Sequence, residues 1–475
     1  MFDGNKTYGQ LGFKARVQTL PEHEAVDRIV LIYQSNKHER FFGFGEQFSY
    51  FDLKGRRVPI LVREPGPGRG ISVTSDSWAV SYSPVPHYIT SQLRSVYLEN
   101  TEYSVFDLRN DSVVEVEVSA LVLRGKLVYG STPLELIRSF TTYAGRMSPL
   151  PPWLVGGAVV GMEGGREEVL NMYRLLTEDY DVPVTAFWLQ DWVGARKVPW
   201  GVGLVWDWQW DNVLYPKFPK MVEWLRDRDV RVMTYVNPHL VPAHGYPGHS
   251  RDLFQESMDE GYVVRKGDGG IFLSYLNATM MDLSDPEARA WLKRVIMDEV
   301  LSTGVSGWMC DFGEALPLDA EIGSGLKVSG NEFHNVYPEE WAKVNLEAIE
   351  EWGLEEDVVF FTRSGFTRSP RYSKLFWLGD QLVTWEEHNG IKSAVVGMLS
   401  SGISGHSLTH GDIGGYMSIR RHGVEIRRSK ELLLRWFELA AFTAVFRTHE
   451  GSRPTGNWQF YSDNGTLMHF ARNAK

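Results

Sequence analysis

From Pro149 onward, short apolar runs alternate with amphipathic stretches in a regular order. The runs are Leu154 to Gly161, Val184 to Gln190, Val230 to Asn237, Gly307 to Asp311, Val358 to Arg363, Leu375 to Asp380, Gly405 to Asp412 and Ala444 to His449. Between them lie helix-period segments such as Glu167 to Glu178 and Lys430 to Phe442. Eight strand-like runs joined by helices predict an α/β fold, a (β/α)8 TIM barrel over residues 148–475. The segment Val241 to Met281, rich in Gly and His, interrupts the alternation between the third and fourth runs and reads as a long loop over the barrel mouth.

The chain before Pro149 has a different texture. Arg28 to Tyr33, Ser72 to Ser75, Ala79 to Ser83, Ser95 to Glu99 and Ser112 to Leu123 carry β-branched or aromatic residues punctuated by Gly, Pro, Asn and Asp. They predict short antiparallel strands and a separate N-terminal β domain over residues 1–147. The Pro149-Leu-Pro-Pro-Trp153 joint continues neither a helix nor a central strand, which places the boundary there.

Ionisable and amide side chains gather at the C-terminal ends of the barrel runs: Gln190, Asp191, Asn237, Asp311, Arg363, Asp380, Asp412 and His449. That rim is where barrels of this kind keep their chemistry. Asp311 in Gly307-Trp-Met-Cys-Asp311-Phe-Gly-Glu314 and Asp380 in Phe376-Trp-Leu-Gly-Asp380-Gln381 each end an apolar run abruptly. Two carboxyls from non-adjacent strands, facing across a sugar-sized gap, are what cleavage of a glycosidic bond requires. The alternative is that both acids cap helices or pair with Arg363 and Arg447.

Composition narrows the classes. At 43% hydrophobic and 23% charged residues over 475, the chain can bury a large core. Lys plus Arg number 49 against 60 Asp plus Glu, a net charge of −11, which opposes nucleic-acid binding. The apolar runs fall far short of the roughly 20 residues that cross a bilayer, so no membrane insertion is expected. Met1 to Arg16 lacks the basic start and apolar core of a secretory leader, and Cys310 is the single cysteine, so a reducing, cytoplasmic location is expected. Seventeen Trp, with Trp192, Trp200, Trp206, Trp208 and Trp210 close together, suit either core packing or stacking on sugar faces.

Other chemistries fit poorly. His406, His410 and Asp412 lack a convincing metal-ligand spacing. Gly66-Pro-Gly-Arg-Gly70 and Gly164-Gly165 match no phosphate-binding loop, and Lys197 and Lys392 do not end a strand as a Schiff-base lysine would. No cofactor or metal is implied. The expected partner is a small-molecule glycoside, and a homo-oligomer is compatible with the sequence.

These strings, in order, resemble glycoside hydrolase family 31. Beside the two Asp motifs, the resemblance includes Gly43-Phe-Gly-Glu46, Arg363-Ser-Gly365, His410-Gly-Asp412-Ile-Gly-Gly-Tyr416 and Arg447-Thr-His449-Glu-Gly451. It implies a retaining α-glycosidase with an N-terminal β-sandwich, Asp311 as nucleophile, Asp380 as acid/base, and Arg363 and His449 on sugar hydroxyls. The family's usual C-terminal β domains are expected to be missing, since the chain ends at Lys475 soon after the eighth run.

Within the family the similarity is to the sulfoquinovosidase branch, which acts on α-glycosides of 6-sulfonated glucose. It is carried by Gln190-Asp-Trp-Val-Gly194, Trp206-Asp-Trp-Gln-Trp210, Gly379-Asp-Gln381, Asp412-Ile-Gly-Gly-Tyr416 and the stretch Arg427 to Glu450. Gln190 stands where α-glucosidases of the family have an acid. A carboxylate about 4 Å from a sulfonate would repel it by roughly 4 kcal/mol at an effective dielectric of 20, whereas a neutral amide can donate a hydrogen bond. Trp206 and Tyr416 are further candidates for the sulfonate. The branch's arginine three residues before that Trp is replaced by Gly203, so the missing cation is expected from Arg196, Lys197 or the insertion. Glu163, after the first run, lies near a polar substrate contact of the branch. Neutral α-glucosides or α-xylosides, or a non-catalytic carbohydrate-binding role, remain alternatives.

Overall fold

The computed structural model describes residues 13–19, 26–66, 77–198, 201–274, 277–323, 328–421 and 423–475. Eight parallel strands form one sheet: β1 (Ala158–Met162), β2 (Val184–Leu189), β3 (Arg231–Val236), β4 (Gly307–Cys310), β5 (Val359–Thr362), β6 (Leu375–Trp377), β7 (Thr409–His410) and β8 (Phe446–Arg447). Neighbours follow chain order, and β8 lies against β1. A parallel bridge between Ile413 and Thr448, just past β7 and β8, draws the last gap together. The expected (β/α)8 barrel is therefore present. Its strands are apolar on both faces because side chains fill the interior on one side and helices cover the other.

Several runs are shorter as strands than their apolar length predicts, among them the last, of which only Phe446–Arg447 is strand. Pro152–Val155 forms a 3-10 turn, since Pro151 and Pro152 preset the backbone for a helical start, and β1 begins only at Ala158. Helix Ile391–Ile403 ends in a turn with Gly405 at φ 102°, leaving two residues for β7. The helix expected from Glu167 is Arg166–Tyr173, continued by a wider π turn over Arg174–Asp179. Helix Lys430–Ala440 starts at Ser429, whose side chain accepts from the Leu432 N–H.

The N-terminal region forms two antiparallel sheets, of five and four strands. Tyr33, Phe41, Phe44, Val58, Ile60, Tyr88, Phe106 and Val116 pack into one buried cluster drawn from both, which makes the pair a sandwich. Several expectations need correction here. Ala79 to Ser83 is not a strand: a 3-10 turn occupies Ser77–Ala79 and the strand is Pro84–Thr90. Every residue of that strand is buried, so alternation does not mark it. The run from Ser112 is a strand only over Val113–Val118. Ser72 to Ser75 lies outside the described residues. Strands Phe41–Gly45, Arg57–Ile60, Ser104–Asp107 and Gly125–Tyr129 were not foreseen, nor was helix Pro133–Ala144, which Thr132 caps through the Glu135 N–H.

The stretch between β3 and β4 is more ordered than a loop. Its ends pair as His239–Leu240 with Thr279–Met280, and it carries helix Leu253–Asp259.

Polar side chains stitch the sandwich to the barrel. Ser404 Oγ accepts from Gly45 N (2.9 Å) and Ser400 Oγ from Gln47 N (2.8 Å), at the Gly43-Phe-Gly-Glu46 motif. Buried Asn335 accepts from Val62 N (2.8 Å) and donates to Thr101 O (2.9 Å). Asn335→Leu would leave the Val62 N–H unpaired in the interface, at a cost of about 1–3 kcal/mol. Its urea midpoint should fall accordingly with little change in slope, and an unchanged midpoint would show that Asn335 is dispensable to this junction.

Candidate active site

Asp311 follows β4, and the chain turns away at once: Phe312 has φ 57° and Gly313 φ 110°. A side chain at Gly313 would place its Cβ 2.5 Å from Ser364 Oγ. Phe312 carries a left-handed backbone that costs a residue with a Cβ. Three contacts hold it there. Its N–H donates to Asp311 Oδ1 (2.8 Å), its carbonyl accepts from Ser364 Oγ (2.5 Å), and its ring lies 4.4 Å from the Arg363 guanidinium. The turn thus aims the Asp311 carboxyl along the barrel mouth.

Arg363 follows β5, between β4 and β6, and is buried. Its Nε lies 3.2 Å from Asp311 Oδ1 and its Nη1 3.4 Å from Asp380 Oδ2. Nη2 donates to Glu314 and lies 3.5 Å from Glu64 Oε2 of the N-terminal region. One guanidinium therefore faces four carboxylates. Burial pushes Asp380 well above the usual carboxylate range; Arg363 opposes the rise, and Glu64, Asp311 and Asp412 add to it. Glu314 is pushed up to about 7 by the same burial, against the pull of Arg363.

Asp380 lies three residues past β6, after Gly379 at φ 70°. A Cβ on Gly379 would meet the Tyr82 ring at 2.3 Å, so only glycine lets the backbone pass this close. The Tyr82 hydroxyl accepts from Asp380 N at 3.4 Å, and its ring lies 4.8 Å from the Arg363 guanidinium.

On the far side of the mouth, Asp412 and Arg447 form a fully buried ion pair. Arg447 Nε also donates to His410 Nε2 (2.8 Å), while His410 Nδ1 donates to Phe376 O (3.1 Å). Both nitrogens of His410 are engaged, so it braces Arg447 and offers no free ligand atom. Tyr416 and His449 lie with ring centroids 4.8 Å apart, and His449 rests edge-on against Trp188 at 5.0 Å. His449 Nδ1 accepts from Gly451 N (2.9 Å), and burial with nearby Arg447 and Arg428 keeps the imidazole far from protonation. The neutral ring then carries its hydrogen on Nε2, as a donor.

Gln190 is half-buried at the end of β2, on the turn Gln190–Val193. Asp191 beside it is a brace, accepting from Gly164 N (2.8 Å) and Tyr215 OH. Glu163, after β1, is exposed, and its side chain makes no hydrogen bond or ion pair among the described residues. The surrounding protein, with Asp191 and Glu450, pushes its carboxyl to about 7, an effect that contact with water reduces. Trp206 is buried against His239 and Phe312, and its Nε1 has no partner among the described residues. Trp192 donates to Tyr235 O (2.8 Å), and Trp208 is core; Trp200 lies outside the described residues.

The replacement of the branch's arginine by Gly203 has a structural counterpart. Strands Ala195–Val198 and Gly201–Leu204 pair antiparallel, with Arg196 directly opposite Gly203. Directly opposed residues project from the same face of a hairpin, so Arg196 emerges where a side chain at 203 would. Its guanidinium is half-buried.

Sequence reasoning missed Glu64, Tyr82 and Tyr235. The first two arrive from loops of the N-terminal region and leave no local signal. Tyr235 had one: it stands two residues before Asn237 in a strand, on the same face. Its hydroxyl donates to Asp311 Oδ2 at 2.5 Å and accepts from Asn237 Nδ2 at 3.1 Å.

The chain is 35% identical over 461 residues to a sulfoquinovosidase of Escherichia coli (strain K12), covering 94% of this chain and 66% of that protein. A sulfoquinovosidase of Agrobacterium fabrum is 34% identical, with 94% and 68% covered. The chain thus spans about two thirds of the length of these relatives. A solved family 31 sulfoquinovosidase from E. rectale, in complex with the aza-sugar inhibitor IFGSQ, superposes with a TM-score of 0.87 at 37% identity, covering 94% of this chain and 68% of that one. Residues 148–474 match the Glycosyl hydrolases family 31 TIM-barrel domain, and the chain belongs to that family.

Proposed function

We propose that this protein is a retaining α-glycosidase acting on α-sulfoquinovosides. The observation that carries the reading is the placement of Asp311 and Asp380, at the ends of strands flanking β5, on one Arg363 guanidinium. Arg363 stands at ion-pair distance from both, 3.2 Å from Asp311 and 3.4 Å from Asp380. Asp311 serves as the ionised nucleophile. Asp380, whose buried carboxyl holds its proton, serves as the acid. In the first step an Asp311 oxygen bonds to the anomeric carbon while the Asp380 proton passes to the leaving oxygen. In the second, Asp380 takes a proton from water, the water oxygen bonds to the same carbon, and Asp311 departs with its electron pair.

Arg363 and the Nε2–H of His449 hold sugar hydroxyls, with Asp412 and Tyr416 completing the far wall. Three features support a sulfonated sugar: the neutral Gln190, the unpartnered Trp206 Nε1 donor and Arg196 opposite Gly203. Exposed Glu163 favours the second reading, a neutral α-glucoside or α-xyloside, because an ionised carboxylate disfavours an anion.

Nitrophenyl α-sulfoquinovoside should turn over faster than nitrophenyl α-glucoside, and faster cleavage of the glucoside would remove the sulfonate reading. Gln190→Glu should cut kcat/KM for the sulfonated substrate by about 100-fold or more and spare the glucoside. Arg196→Ala should raise KM for the sulfonated substrate alone. Binding without turnover at any pH would instead favour a non-catalytic role.

Asp380→Asn should lose about 100- to 10,000-fold on substrates with poor leaving groups and far less on nitrophenyl glycosides, whereas Asp311→Asn should lose activity on both. Equal losses in the two variants would contradict these roles. Because the acid works only while protonated, kcat/KM should fall as pH rises through the Asp380 pKa, and the released sugar should appear first as the α-anomer by NMR.

A further inference from the structure

We propose that Tyr235 is a catalytic residue whose phenol, oriented by Asn237, stabilises the Asp311 carboxylate as it leaves the sugar in the second step. The inference rests on reading Asp311 as the nucleophile. Tyr235 is the next-to-last residue of β3, buried, with its ring 6.0 Å from that of Trp208 and its carbonyl engaged by Trp192 Nε1. Its hydroxyl has little freedom to swing. Asn237 Nδ2 donates to the phenolic oxygen, and Asn237 Oδ1 is itself fixed by His239 N at 2.8 Å. The phenolic hydrogen is thereby directed to Asp311 Oδ2. Burial and the charge of Asp311 keep the phenol protonated at any working pH, so it remains a donor.

The two oxygens of Asp311 are held differently. Oδ1 meets the Phe312 N–H and the Arg363 guanidinium, whose charge Asp311 shares with Asp380, Glu314 and Glu64. Oδ2 has the neutral Tyr235 donor. The charged and titratable groups around the carboxyl are Arg363 from β5, Asp380 from β6, Asp412 and Tyr416 beyond β7, Glu314 and Cys310 on its own segment, Glu64 from the sandwich and Tyr235 from β3.

When the glycosyl bond to Asp311 forms, the carboxylate loses its charge and the phenol's hydrogen bond weakens. When water displaces Asp311, the C–O electron pair returns to the carboxylate and the bond strengthens again. A donor to the charged form therefore favours the second step over the first.

Tyr235→Phe keeps the packed ring and removes only the hydroxyl. With nitrophenyl α-sulfoquinovoside, or the α-glucoside if that is the better substrate, kcat should fall about 10- to 100-fold, with KM falling in parallel as glycosyl-enzyme accumulates. A nitrophenol burst and a glycosyl adduct by mass spectrometry should appear. Asn237→Ala should act in the same direction but less. A kcat within twofold of wild type with no burst and no adduct would overturn the proposal. So would equal losses in kcat and kcat/KM with a lowered melting temperature, the pattern of a merely structural residue. Retained turnover in Asp311→Asn with no adduct in any variant would instead remove the nucleophile assignment, and this inference with it.

Discussion

A single buried guanidinium, that of Arg363, faces carboxylates from β4, β6, the loop after β4 and the sandwich. One positive charge cannot balance four negative ones in a space with little water, so protons must make up the difference. Burial outweighs the opposing charge of Arg363 at two of these acids: Asp380 is pushed well above the usual carboxylate range, and Glu314 rises to about 7 despite its direct bond to Nη2. Glu314 Oε2 is buried without a partner among the described residues, a further sign that this corner is short of donors.

The scaffold exists to hold that arrangement steady. Short parallel strands end together at the rim, and each reactive side chain stands within a few residues of a strand terminus. In the turn after Asp311, Phe312 accepts a left-handed backbone in return for three contacts, one of them with Arg363 itself. On the opposite wall the buried Asp412–Arg447 pair, braced by His410, fixes the loops that bring Tyr416 against His449.

How much of this was legible depended on whether the signal was local. The barrel strands announce themselves as apolar runs because both faces are buried, and the strand-end rule located Asp311, Arg363, Asp380, Asp412 and His449. The sandwich was harder. Pro84–Thr90 is buried at every position and begins with proline, so neither alternation nor composition marked it. Helix Pro133–Ala144 carried a readable cap in Thr132 and Glu135, yet lay in a stretch otherwise dominated by strands. Glu64 and Tyr82 reach Arg363 only through tertiary packing, which a linear pattern does not encode. The Arg196–Gly203 register depends on which residues pair across the two short strands, and the local sequence sets no unique pairing.

The passage of Gly379 across the face of Tyr82 ties the two halves of the polypeptide into one functional unit. The backbone amide of Asp380 is pinned from outside its own barrel, and Glu64 reaches the same guanidinium from the same side. A barrel expressed alone would therefore lose part of the electrostatic setting of its proton donor even if it folded. Recombining N-terminal halves between relatives should accordingly retune acidity at the cleavage centre, which makes the sandwich a heritable control on reactivity in addition to its role as a packing partner.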